Sequence, residues 1–92
     1  MKVSNMTNTR GNTVPNQFII FDSEFTIFQS YDSVIVKTDF DDDGNRRVQL
    51  DDYYWNYSVT TSKYRNQFLG ETTKETQKKI DSGEYLLTDL NG

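Results

Sequence analysis

Residues Asp39-Phe40-Asp41-Asp42-Asp43-Gly44-Asn45 set carboxylates at positions one, three and five, and a glycine at position six, of an EF-hand-like calcium loop. Such a loop closes on its ion through a bidentate Glu at position twelve, and that position is Leu50 here. Arg46 stands at position eight, and the flanks read as strands where an EF-hand needs helices. A tight Asp/Gly turn accounts for the pattern, and neither a metal nor another cofactor is expected.

Asp22, Glu24, Asp32 and the acidic turn supply many carboxylate pairs of the kind used in metal-assisted phosphoryl transfer or glycoside hydrolysis. All of them fall in turn-like stretches, where solvated surface is the simpler account. The chain has no histidine and no cysteine, which removes imidazole bases, thiol nucleophiles, disulfides and Cys/His zinc sites together. A nucleophile, a base and oxyanion donors cannot be assembled from what is left, so the expectation is a protein that binds and does not catalyse.

Charge says more when divided along the chain than when summed to its net -4. From Asp39 to Asp52, six aspartates stand against Arg46 and Arg47. From Tyr53 to Lys79 the balance reverses, with Lys63, Arg65, Lys74, Lys78 and Lys79 against Glu71 and Glu75. An acidic hairpin carrying Asp39, Asp41, Asp42, Asp43, Asp51 and Asp52 is therefore the first candidate contact surface. A row of carboxylates can imitate phosphates and occupy the groove of a nucleic-acid-handling protein. The second candidate is a single-stranded nucleic-acid surface made by Tyr57, Lys63, Tyr64, Arg65, Lys78 and Lys79, in which rings stack on bases and cations meet phosphates. Against it, Tyr64 and Phe68 have core spacing, and a chain of 92 residues needs its one tryptophan for packing.

These residues need a scaffold, and the sequence outlines one. Only 34% of the chain is hydrophobic, but 14% is aromatic, so rings must supply the core. Met1 to Asn16, rich in Asn and Thr with scattered apolar residues, reads as a flexible arm. Residues 17–92 read as one α+β domain. Phe18 to Phe21 and Phe25 to Phe28 flank the turn Asp22-Ser23-Glu24 as a hairpin. Ser33 to Phe40 follows as a third strand, with Val34, Val36, Thr38 and Phe40 on one face and Ile35, Lys37 and Asp39 on the other. Arg46 to Leu50 is the fourth strand of an antiparallel β-meander. Hydroxyls from Ser58 to Thr61 precede a helix closed by Gly70, and Thr72 with Glu75 forms a capping box for a second helix that ends at Gly83. Glu75 and Lys79 stand at i,i+4 on that helix. Tyr85 to Leu90 is a closing C-terminal strand on the sheet edge.

The stretch from Trp55 to Gly70, together with Phe28 to Ser33, Lys79 to Tyr85 and Asp89-Leu90-Asn91, resembles a family of small uncharacterised proteins encoded by phages and plasmids of Gram-positive bacteria. The resemblance covers about Gln17 to Asn91. That family has no established activity, so no binding or catalytic residue carries over. What it implies is a short accessory gene on a mobile element, where small proteins often antagonise host defence or attend DNA replication. The expected partner is accordingly a host or phage protein, plausibly a nucleic-acid-binding enzyme, with nucleic acid itself as the alternative. No apolar run follows the N-terminal lysine and none approaches the length of a membrane span, so a cytoplasmic protein without a membrane partner is expected.

Overall fold

Short polar turns between β-branched and aromatic runs leave the chain little choice but to reverse on itself, and a computed structural model describing all 92 residues shows where it does so. The strands are β1 (Lys2–Thr7), β2 (Thr13–Phe21), β3 (Phe25–Ser30), β4 (Ser33–Phe40), β5 (Arg46–Asp51) and β6 (Tyr85–Thr88). Two helices, α1 (Val59–Leu69) and α2 (Thr73–Asp81), lie between β5 and β6. The six strands form one sheet in the order β1-β2-β3-β4-β5-β6. The first five make an antiparallel meander, and β6 joins β5 in parallel. The architecture is α+β, with both helices feeding side chains into the same core.

The paired row Ile19, Phe28, Val36 and Leu50 runs across four strands on the helix-facing side. Phe28 is fully buried, and its ring stacks on Phe68 of α1 at 5.9 Å. Met6, Ile35, Val48, Tyr64 and Tyr85 complete the buried core, with Trp55, Leu69 and Ile80 packed around it. The strict alternation expected along β4 fails at one residue. Phe28 pairs with Val36 and Gln29 with Val34, so Ile35 is extra, and both Ile35 and Val36 are buried. A β-bulge of this kind lets neighbouring side chains share one face.

The N-terminal segment is not an arm. Val3, Ser4 and Asn5 pair with Ile20, Ile19 and Phe18, and Met6 is buried. An edge strand is held chiefly by ladder hydrogen bonds and needs only one good apolar anchor, which is why scattered apolar residues hid it. The turn that follows is built by Asn8, whose Oδ1 accepts from the backbone N–H groups of Arg10 and Asn12. Gln67 on α1 then donates to the Thr7 carbonyl at 2.7 Å and pins the strand to the helix layer.

Helix limits follow capping chemistry. Ser58 caps α1 by accepting from the Thr61 N–H, and Gly70 closes it at φ 70°. The Thr72/Glu75 capping box forms in both directions, at 3.2 and 3.1 Å. With Glu75 so engaged, the expected Glu75–Lys79 pairing does not occur. Lys79 instead reaches Glu71 at 2.6 Å, whose side chain is almost wholly buried and needs a countercharge.

Two buried polar side chains give opposite expectations. Asp51 accepts four hydrogen bonds: Oδ1 from Leu90 N and Asn91 Nδ2, and Oδ2 from Tyr53 N and Tyr54 N. Burial alone would raise its pKa, but these bonds outweigh burial and hold it below the usual aspartate value. Its contribution is then complete above the ordinary carboxylate range and is lost as pH falls through the lowered folded value. Asp51→Asn, which turns one oxygen into a donor facing donors, should cost about 2 kcal/mol in urea titrations at neutral pH. That deficit should shrink once the pH drops below about 4. Gln17 is equally buried, yet neither amide atom has a partner in the chain. Gln17→Met, of similar shape, should raise the urea midpoint by an amount worth about 1 kcal/mol.

Candidate functional site

The acidic residues singled out by sequence do not form one row. Asp39 forms a two-pronged ion pair with Arg47, at 2.9 and 2.8 Å, which holds its carboxyl below the usual range. Asp41 is a turn builder: its Oδ1 accepts from Asp43 N at 3.0 Å and Asn45 N at 2.9 Å, while Gly44 takes φ 84°. Asp51 is buried and is therefore withdrawn from any contact surface. Asp52 is exposed, but it lies at the far end of β5 from the turn. Asp42 and Asp43 remain exposed, with no hydrogen bond to their carboxylates. No group of three or more carboxylates is placed to share a metal ion.

What the sequence did not single out is the neighbour of that turn. In a meander, the β2–β3 and β4–β5 turns fall at the same end of the sheet. Here Asp22, Ser23 and Glu24 line one cleft of about 190 Å³ together with Thr38, Phe40 and Arg46. Phe40 is 68% exposed at its edge, and Phe21 is close to half exposed just before the first turn. The result is an aromatic end rimmed by carboxylates from two turns. Strand connectivity alone held the signal that would have revealed it.

The basic and aromatic candidates also separate. Tyr64 is core, packed with Phe28 and Leu50 in one buried cluster. Arg65 is fully buried, with its guanidinium 5.1 Å from the Trp55 ring. It donates to the Trp55 carbonyl, to Asn66 Oδ1 at 2.9 Å and to Thr73 Oγ1 at 2.8 Å, with a longer bond to Asn56 Oδ1 at 3.3 Å. Burial pulls its pKa below the usual arginine value, with the charge of Glu71 opposing. The two ion pairs of the molecule are Asp39–Arg47 and Glu71–Lys79, so Arg65 carries its charge without a carboxylate partner. Lys79 is held by Glu71 and lies 5.3 Å from the Tyr85 ring. Lys78, Lys63 and Tyr57 stay exposed. Of the six, Tyr57 and Lys63 share a pocket of about 620 Å³ with Asn56, Ser58, Asn66 and Thr73. A continuous strip of six stacking and phosphate-binding residues is therefore absent.

Residues 1–84 match DUF8033, described as a family of unknown function. The chain belongs to that family. The DUF8033 match includes the residues of β1. No curated protein and no solved structure matches the chain. No helix of this DUF8033 protein is long and apolar enough to cross a membrane.

Arg65 should be irreplaceable by its nearest chemical relative. A lysine there would offer one compact ammonium to acceptors spread over Trp55, Asn66 and Thr73, and would lose the planar contact with Trp55. Arg65→Lys should lower stability by about 2 to 4 kcal/mol in chemical denaturation, with a weaker Trp55 band in near-UV circular dichroism.

Proposed function

We propose that this protein is a non-catalytic binding module whose partner is a protein, docked on the end of the sheet where the two acidic turns meet. The single observation that carries the reading is the exposed Phe40 ring beside a cleft lined by Asp22, Glu24 and Arg46, with Asp42 and Asp43 free at the adjoining tip. A ring in reach of a pocket supplies the contact area, and the surrounding carboxylates select a basic surface and speed its approach. The partner this chemistry fits presents an apolar recess bordered by Lys or Arg. Nucleic-acid-handling enzymes carry such cations along their substrate channels, which supports the finer reading of an accessory protein of a phage or mobile element that blocks a host defence enzyme in the cytoplasm.

The contact set is smaller than the six aspartates suggested by sequence. Asp39 and Asp51 are engaged internally, and Asp41 holds the turn, so the contact rests on Phe40, Asp42, Asp43, Asp22 and Glu24. The alternative, a single-strand nucleic-acid surface, keeps Tyr57, Lys63 and Lys78 but loses Tyr64, Arg65 and Lys79 to the core and to an ion pair.

Two variants separate anchor from steering, and both spare Asp41 so that the turn survives. Tagged protein captured from the native host should yield a partner that Phe40→Ser loses almost entirely, by a factor of about 30 or more in affinity. Asp42→Asn/Asp43→Asn should slow association several-fold at low salt and little at high salt, read by surface plasmon resonance. Partner capture unaffected by Phe40→Ser would remove this end of the sheet as the contact.

A further inference from the structure

At the other end of β5, the chain leaves Asp51, turns through Trp55 and enters α1, and the larger pocket opens there. Its eight lining residues include no acid. The first turn of α1 has no acidic residue either, so the positive end of that eleven-residue helix is uncompensated. Its leading N–H groups have no intrahelical acceptors.

Beneath the pocket lies Arg65, a fully buried cation with no carboxylate partner and with an Nε that meets no acceptor at all. Besides the Trp55 carbonyl, its hydrogen bonds go to oxygens of Asn56, Asn66 and Thr73, which line the pocket. A cation behind a wall of amides and hydroxyls consumes their oxygens. Asn66 also spends an Nδ2 hydrogen on Thr73 Oγ1 at 3.1 Å, which leaves Asn56 and Ser58 to donate outward. Asn56 accepts from Arg65 and from Ser62 through Oδ1, which leaves its Nδ2 hydrogens free. Ser58 accepts the Thr61 N–H, which leaves its own O–H hydrogen to give. Lys63 adds an exposed ammonium at the rim. Asn56 Nδ2, the Ser58 hydroxyl and the Lys63 ammonium therefore all present donors.

We infer that this pocket is a binding site for a phosphate-type oxyanion, either free phosphate or the terminal phosphate of a nucleotide. The anion adds a nearby negative charge to the more distant one of Glu71 that Arg65 already feels, accepts from Asn56, Ser58 and the first turn of α1, and is capped by Lys63. Tyr57, exposed on the same pocket, offers a ring for a base when the phosphate arrives on a nucleotide. This site goes beyond the protein-docking reading and does not depend on it, since the two lie at different ends of the sheet.

The test is a titration followed by two-dimensional amide NMR on the full chain, with inorganic phosphate, adenosine 5′-monophosphate and adenosine as separate arms. Phosphate should move the amides of Val59, Thr60, Ser62 and Thr73 saturably, and adenosine should not. Equal affinity for phosphate and the monophosphate assigns the site to the free ion; a gain of about tenfold for the monophosphate assigns it to a nucleotide, with Tyr57 contributing. Lys63→Glu and Asn56→Asp, both on the surface, should each weaken binding about tenfold while leaving the fold intact by far-UV circular dichroism. No saturable shift at these amides in the millimolar range, or binding unchanged in Lys63→Glu, would overturn the assignment. Neither result bears on capture of a partner through Phe40.

Discussion

One carboxylate ties together three parts of the chain: the end of β5, the turn that follows it, and the residues after β6. Asp51 ends β5, receives the backbone N–H groups of Tyr53 and Tyr54, and binds Leu90 and Asn91 after β6. Asn91 in turn exchanges two hydrogen bonds with the backbone of Val34 at the start of β4. A buried carboxylate is costly unless its lone pairs are filled, and here they are filled by groups that would themselves be orphaned in its absence. The constraint then propagates. The turn it fixes delivers Trp55, through a bond from Trp55 N to the Asp51 carbonyl, onto the face of Arg65. Arg65 in turn aligns the side chains of Asn66 and Thr73 across the two helices.

The same logic explains why summed charge was a poor guide to function. Charges near the middle of the sequence looked like one acidic surface, but burial sorted them by what each could bond. Asp51 found four donors and went inside. Asp39 found a guanidinium across the strand pair, at the position where β4 and β5 place Asp39 opposite Arg47. Glu71 found Lys79 and a Thr76 hydroxyl, and these bonds outweigh burial to keep it ionised. What stays free, Asp42 and Asp43 at one end and Lys63 at the other, is left after these internal demands are met.

Elements with local signatures were legible in the chain, and those that depend on remote partners were not. The Thr72/Glu75 box, Gly70 after α1, the Asp-Gly turn and the aromatic strands each carry their own chemistry within a few residues, so they could be read directly. β1 could not, because its stability lies in a ladder with β2 and in Met6, and a lone methionine between polar residues has no period. The bulge at Ile35 escaped for a similar reason: it exists only relative to Phe28 and Gln29 on the neighbouring strand. Arg65 carried the most misleading signal. A basic residue amid aromatics reads as a surface for phosphates, whereas Trp55 and four oxygen acceptors draw it fully inside. Asp22 and Glu24 were dismissed as solvated turns, and strand order is what brings them beside Phe40.

The net charge of -4 need not govern what either end of the molecule binds. β5 has six residues and separates the acidic tip from the turn into α1 by roughly 20 Å at the rise of an extended strand. The screening length at physiological ionic strength is about 8 Å, so the two ends lie more than two such lengths apart and each is felt by a ligand almost alone. A buried cation such as Arg65 is screened least of all, because protein and not salt water surrounds it. Ionic strength therefore weakens the exposed carboxylates around Phe40 far more than it weakens an anion seated above Arg65, and salt dependence is the physical property by which the two ends of this sheet are told apart.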